Sequence, residues 1–167
     1  TWHMAGRLGE DYHATDLLTD ILGGNNSSRL YQQLVKEQKL FVHLDCYHFG
    51  SSDPSLLTIE GKLVEGISME KAEQALQIEI DKICKEGPSE QELQKVKNKT
   101  ESLIAFEDMS VMSRASSLAY YELLGDAAWM NTELQQYANV TTAQIKKVSN
   151  QLFRAENSNT LYYYATK

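Results

Sequence analysis

The 167-residue sequence is poor in the residues that usually announce a function. It has two cysteines and two prolines, and no apolar run approaches the roughly 18 residues of a membrane-spanning helix. No Lys/Arg cluster is long enough to track phosphates, and the formal net charge is −7, which argues against nucleic acid and anionic membrane as partners. Thr1-Trp2-His3-Met4 lacks a basic stretch followed by an apolar run, so it does not read as a signal peptide. Cys46 and Cys84 lie far apart inside apolar patterns and read as small buried hydrophobes rather than a disulfide or a ligand pair. The compartment stays open, with a bacterial cytoplasm or periplasm fitting equally. Asn26, Asn98 and Asn139 begin Asn-x-Ser/Thr triplets, a pattern common by chance.

The hydrophobic fraction of 42% is enough for one domain with a core, placed at residues 1–167. Residues 1–5 read as a strand stub whose beginning is missing. Ala14, Leu17, Leu18, Ile21 and Leu22 recur at helical spacing up to Gly23-Gly24. A second helix is predicted from Arg29 to about Gln38 behind the Asn25–Ser28 turn. From Leu40 to Phe49 the period becomes two, with Leu40, Val42, Leu44 and Cys46 on one face. After the turn at 50–54, Leu56–Val64 alternates again, which predicts an antiparallel pair. Met69, Ala72, Leu76, Ile80 and Ile83 stripe a helix ending at Gly87-Pro88. Ser89 and Glu92 form a capping box for a helix with Leu93, Val96, Leu103 and Ile104 inward. Helices over roughly Val111–Leu124 and Ala127–Ala138 follow, then one capped by Thr141 or Thr142 that runs through Phe153, then a closing strand over Thr160–Thr166. The expected class is α+β: an antiparallel or mixed sheet of about four to six strands, covered on one face by helices.

Candidate chemistry is sparse. None of His3, His13, His43 and His48 forms the i, i+4 pair with an intervening Glu that a zinc-peptidase helix requires. His43 and His48 bracket Asp45 and Cys46, but residues five apart on a strand point to opposite faces. His13, Asp16 and Asp20 share a helical face that could hold a metal loosely; a solvated polar face is the favoured reading. Glu107-Asp108 and Glu90/Glu92 sit at helix ends, where dipole and capping explain them. Arg114, near Tyr120 and Tyr121, reads as a surface arginine rather than a substrate contact. No phosphate loop, Gly-x-Ser-x-Gly elbow or Cys-x-x-Cys pair is present.

Four ordered segments carry a family resemblance. They are Leu17 to Val35, containing Ser28-Arg29-Leu30-Tyr31-Gln32-Gln33-Leu34; Gly87-Pro88-Ser89-Glu90-Gln91-Glu92-Leu93; Ser113–Asp126; and Val140 through Phe153. Together they resemble the second-type domains of the insulinase/pitrilysin-like zinc peptidases (inverzincins). That resemblance implies homologous domains forming two halves around a chamber. Zinc is then held by an inverted His-x-x-Glu-His motif in another domain, where a glutamate serves as general base. None of these residues occurs here, so no catalytic or metal residue is assigned and no cofactor is expected in this segment. The family's substrate-holding Arg and Tyr, seven apart, fall on Val35 and Val42, which cannot supply charge or a hydrogen bond.

The resemblance therefore implies a second, non-catalytic, chamber-forming domain of a zinc-dependent metalloendopeptidase acting on peptides. Its expected partners are an upstream zinc domain and a homologous partner half. The alternative is a non-enzymatic scaffold or assembly subunit of the same fold; a third reading is an unrelated α+β binding module.

Overall fold

The computed structural model describes residues 1–164 and has an α+β architecture. Strand β1 (Trp2–Met4) leads through a loop to helix α1 (Tyr12–Leu22). A π-helical segment (Tyr31–Glu37) then feeds the hairpin β2 (Phe41–His48) and β3 (Ser55–Leu63). Helices α2 (Met69–Glu86), α3 (Glu90–Glu107), α4 (Val111–Leu124), α5 (Glu133–Asn139) and α6 (Thr142–Leu152) complete the chain. The strands pair antiparallel in the order β1-β3-β2.

Among the described residues there are three strands, fewer than the four to six expected. The closing strand is the difference: residues 160–164 adopt no strand, and 165–166 lie outside the described residues. Pairing does begin there. Trp2 bridges Ser158, Asn159 N–H donates to Thr1 O at 2.9 Å, and the Thr1 amine donates to Asn159 O at 2.9 Å.

α1 explains the core. Leu17, Leu18 and Leu22 have no exposed surface, and the helix packs on β2, α3, α5 and α6. Gly23 lets its end approach the sheet, because a Cβ there would lie 2.4 Å from the Cys46 Cβ. Leu30 and Leu34 from the next helix, Leu57 from β3, Val96 from α3 and Ile145 from α6 fill the same interior. The opposite face of the sheet is wet. Asp45 and Glu60 stand opposite one another on it, and the Tyr47 hydroxyl donates to Glu60 Oε2 at 3.0 Å.

Several local expectations need correction. The helix expected over 29–38 exists, but most of it is π-type, closed by Gln38 N–H to Gln33 O at 3.0 Å. Its exit places Lys39 at φ 53, in the left-handed region that glycine tolerates best. The inward run Leu40, Val42, Leu44, Cys46 is interrupted. A register shift between Phe41 and His43 turns Phe41 into the core and leaves Val42 exposed. Gly61 makes room for this, since a Cβ there would meet the Phe41 ring at 2.7 Å. Leu103 faces outward, and the 127–138 helix divides into a 3₁₀ segment (Ala127–Thr132) and α5.

Two capping boxes set helix starts. The Ser89 side chain accepts from Glu92 N–H, while Glu92 accepts from Ser89 N–H at 2.8 Å; Thr141 and Gln144 do the same for α6. Two stability changes are expected on urea unfolding. Ser89→Ala should lose about 1 kcal/mol. Lys39→Gly should gain about 0.5–1 kcal/mol by relieving the left-handed lysine; a loss at Lys39→Gly would show the site is not strained.

Candidate functional site

Polar side chains converge where the 5–9 loop, α1, the end of β2, α4 and α5 meet. Arg7 is 8% exposed, and its guanidinium donates to Glu133 Oε1 at 2.5 Å and to the Tyr121 hydroxyl at 3.1 Å. Its Cζ lies 4.6 Å from the Tyr12 ring centroid, so the cation is also held against an aromatic face. His13 Nε2 lies 3.3 Å from Glu133 Oε1 and 3.4 Å from Arg7 Nη1.

One turn along α1, Asp16 accepts two further bonds. Its Oδ1 lies 2.8 Å from His48 Nε2, and its Oδ2 accepts from the Tyr137 hydroxyl at 2.6 Å. Gly50 N–H donates to His48 Nδ1 at 3.0 Å, so Nδ1 is an acceptor and the proton sits on Nε2, facing Asp16. Asp20, a turn further, pairs with Lys99 Nζ from α3 at 2.8 Å.

These contacts set the protonation states. Burial opposes ionisation of Glu133, but hydrogen bonds from His13 and Arg7 and the arginine charge bring its pKa down to about 2. Asp16 is likewise desolvated, yet hydrogen bonds from His48 and Tyr137 leave its pKa below the usual carboxylate value. Burial, with the nearby carboxylates, pushes Tyr12 and Tyr121 up to about 12 and Tyr137 further still. Arg7 loses solvation too, but the Glu133 bond and charge raise its pKa. The acids are ionised and consumed as acceptors; the phenols are protonated. A general base or activated nucleophile needs a pKa poised near the working pH, and none of these shifted groups has one.

The candidate metal face of α1 is thereby resolved. His13, Asp16 and Asp20 do share that face, but each turns to a different protein partner rather than to a common point. Among the described residues no group of three or more His, Cys, Asp or Glu side chains could hold a metal ion, so the donor set does not fit zinc. The favoured solvated reading is corrected as well: the face is largely covered by α5 and α3. His43 is exposed and His48 is turned inward, as their spacing predicts. Cys46 is buried with its thiol pKa raised by burial, Cys84 is half-buried, and both are free thiols. Arg114 is exposed and makes no side-chain hydrogen bond or ion pair among the described residues. Val35 packs against the core beside the π-helical turn, and Val42 projects from the β2 bulge.

Sequence reading missed Arg7, Tyr12, Glu133 and Tyr137. Tyr12, His13 and Asp16 lie on one helical face, which is a usable local signal. Nothing local ties them to Glu133, however, since Arg7 and Glu133 are 126 positions apart.

Residues 1–100 match the model of the peptidase M16 inactive domain, and the chain belongs to that family. Its fold matches a protease from Helicobacter pylori with TM-score 0.86 at 20% identity, over 93% of this chain and 38% of that one. A candidate zinc protease from Bordetella pertussis gives TM-score 0.86 at 21% identity, over 99% of this chain and 91% of that one. The inactive peptidase domain of a candidate zinc protease from Bordetella parapertussis gives 0.83 at 20%, over 93% and 83%. The chain thus spans little more than a third of the Helicobacter protein. No curated protein matches it significantly.

The network carries a pH prediction. Glu133 and Asp16 have folded pKa values below their unfolded values near 4, so their contribution is fully present above about pH 5. It is lost as pH falls through the folded values, about 2 for Glu133 and below the usual carboxylate value for Asp16. The melting temperature should therefore drop between pH 5 and 2. Glu133→Ala should cost about 3–5 kcal/mol at neutral pH by stranding Arg7, and should flatten that acid limb. An unchanged acid limb in the variant would show that Glu133 does not carry it.

Proposed function

We propose that this chain is the non-catalytic, chamber-forming companion domain of a zinc-dependent metallopeptidase acting on peptides. Zinc and the general base then reside in a separate, upstream domain. The observation that carries the reading is the commitment of every acidic and imidazole side chain on the α1 face to an internal partner, within a family defined as inactive. A domain built this way keeps the peptidase-family shape and spends its polar groups on rigidity. Valines at 35 and 42 support a wall over a substrate clamp: they can line a surface but cannot orient a peptide carbonyl or carboxylate. The homologous partner half expected across the chamber is part of the same proposal.

The test is a peptidase assay on an unstructured peptide with added zinc, run beside thermal unfolding with and without chelator. The expected result is no turnover and a melting temperature that chelator leaves unchanged within about 1 °C, because no ligand links metal to folding. Turnover abolished by chelator would overturn the assignment.

A further inference from the structure

A groove between the turn that precedes the π-helical segment, α2 and the start of α3 holds polar groups that the fold leaves unanswered. Its volume is about 390 Å³, far more than a water occupies and within the range of ligand sites. Ser28 lines it and is 1% exposed. Among the described residues, the Ser28 Oγ is the one buried side-chain N or O atom without a hydrogen-bond partner. A buried hydroxyl left unpaired costs stability, so its retention calls for a reason. Glu79 lines the same groove at 3% exposed. Its Oε1 accepts from Lys82 Nζ at 2.6 Å, and its second oxygen has no partner among the described residues. Glu86, in the last turn of α2, is exposed and likewise unpaired among them.

The walls are held firmly. Arg29 Nε and Nη2 donate to the two Glu92 oxygens at 2.6 and 2.8 Å, and Nη2 also donates to Gly87 O at 3.1 Å. The bond to Glu92, with the charges of Glu92, Glu79 and Glu86, raises the Arg29 pKa against the opposing effect of burial. All three carboxylates therefore act on one region. Arg29 answers Glu92 and Lys82 answers Glu79, which leaves Glu86 as surplus charge in a chain already at −7. Both cations are matched, so an anion gains little here. A metal ion does not fit either, because among the described residues no three His, Cys, Asp or Glu side chains could hold one. A nitrogen cation with several N–H donors suits the unused acceptors. Exposed Gln33 stands at the rim with an amide that no described residue bonds, able to pair with a peptide group. A larger depression across Ser27 differs: its two lysines are engaged by Ser27 and Asp20. We propose that the groove binds the guanidinium or ammonium head of an arginine or lysine side chain carried by a peptide, with Ser28, Glu79 and Glu86 as acceptors. The site is independent of the companion role proposed above, since every group in it belongs to this chain.

The test is calorimetric titration of the complete polypeptide with a short, acetylated and amidated peptide centred on arginine, at about 0.15 M salt to screen non-specific attraction and with chelator present. The expected result is binding at one site, at least about 10-fold weaker for the citrulline peptide, which keeps the shape of arginine and loses its charge. Ser28→Ala and Glu86→Gln should each weaken the arginine peptide by about 3–10-fold. Glu107→Gln, at the far end of α3, should leave it unchanged. Ser28→Ala should also raise the melting temperature of the free protein, because it removes the unpaired hydroxyl. Weaker binding together with higher stability is a combination that a purely structural serine does not give. Absence of binding, equal affinity for the arginine and citrulline peptides, or an affinity that Glu86→Gln does not alter would each overturn the proposal. Free arginine amide or a polyamine binding as tightly as the peptide would overturn the peptide as ligand in favour of a small organic cation.

Discussion

A guanidinium taken out of water must be paid for, and the arrangement around Arg7 follows from that constraint. Desolvating an ion costs several kcal/mol even in a relaxed protein interior, and only a close counter-charge with its remaining donors satisfied offsets it. Glu133 supplies the charge, the Tyr121 hydroxyl takes another donor, and the Tyr12 ring covers the guanidinium face. Glu133 opens α5 and Tyr121 sits near the end of α4, so satisfying Arg7 fixes both against the loop after β1. Helix α4, which buries little of its own, is held in part by this one residue.

The same pairing bears on why the domain lacks peptidase chemistry. A catalytic helix needs ligands whose lone pairs converge on an open point. Here α1 presents an imidazole and two carboxylates at suitable helical spacing, but the surrounding elements answer each separately. Glu133 faces His13, His48 and Tyr137 close on Asp16, and Lys99 takes Asp20. Each contact ties a different element to α1. The polar groups of the helix face are committed to cohesion, which leaves none of them converging on an open point.

Much of the fold was legible because its signals are local. Helical periodicity places α1 and α2, the stop at Gly125-Asp126 bounds α4, the capping box at Ser89 fixes the start of α3, and the change to period two announces the hairpin. Signals that depend on distant partners were not legible. The inward turn of Phe41 requires the absent side chain of Gly61 on the neighbouring strand, so simple alternation pointed to Val42 instead. The closing strand was read from its Tyr-rich composition. A strand needs a partner along its length, and beyond Asn159 the described chain has none. The polar network failed for the same reason: no spacing rule connects residue 7 to residue 133.

The turn at 106–112, between α3 and α4, shows the converse. Its residues read locally as a helix end and a turn, and locally they form those structures. What the sequence pattern could not show is that so many of the large apolar side chains there would be left outside. Amphipathic periodicity predicts a buried stripe, and α4 has the apolar residues for one. Yet the core lies on the other side of Tyr121, and Val111, Met112 and Leu123 point away from it. Hydrophobic residues that satisfy the helix but not this domain's own core leave α4 anchored mainly through Tyr121 and the 3₁₀ segment that follows it, so its periodicity alone does not say which face is inward.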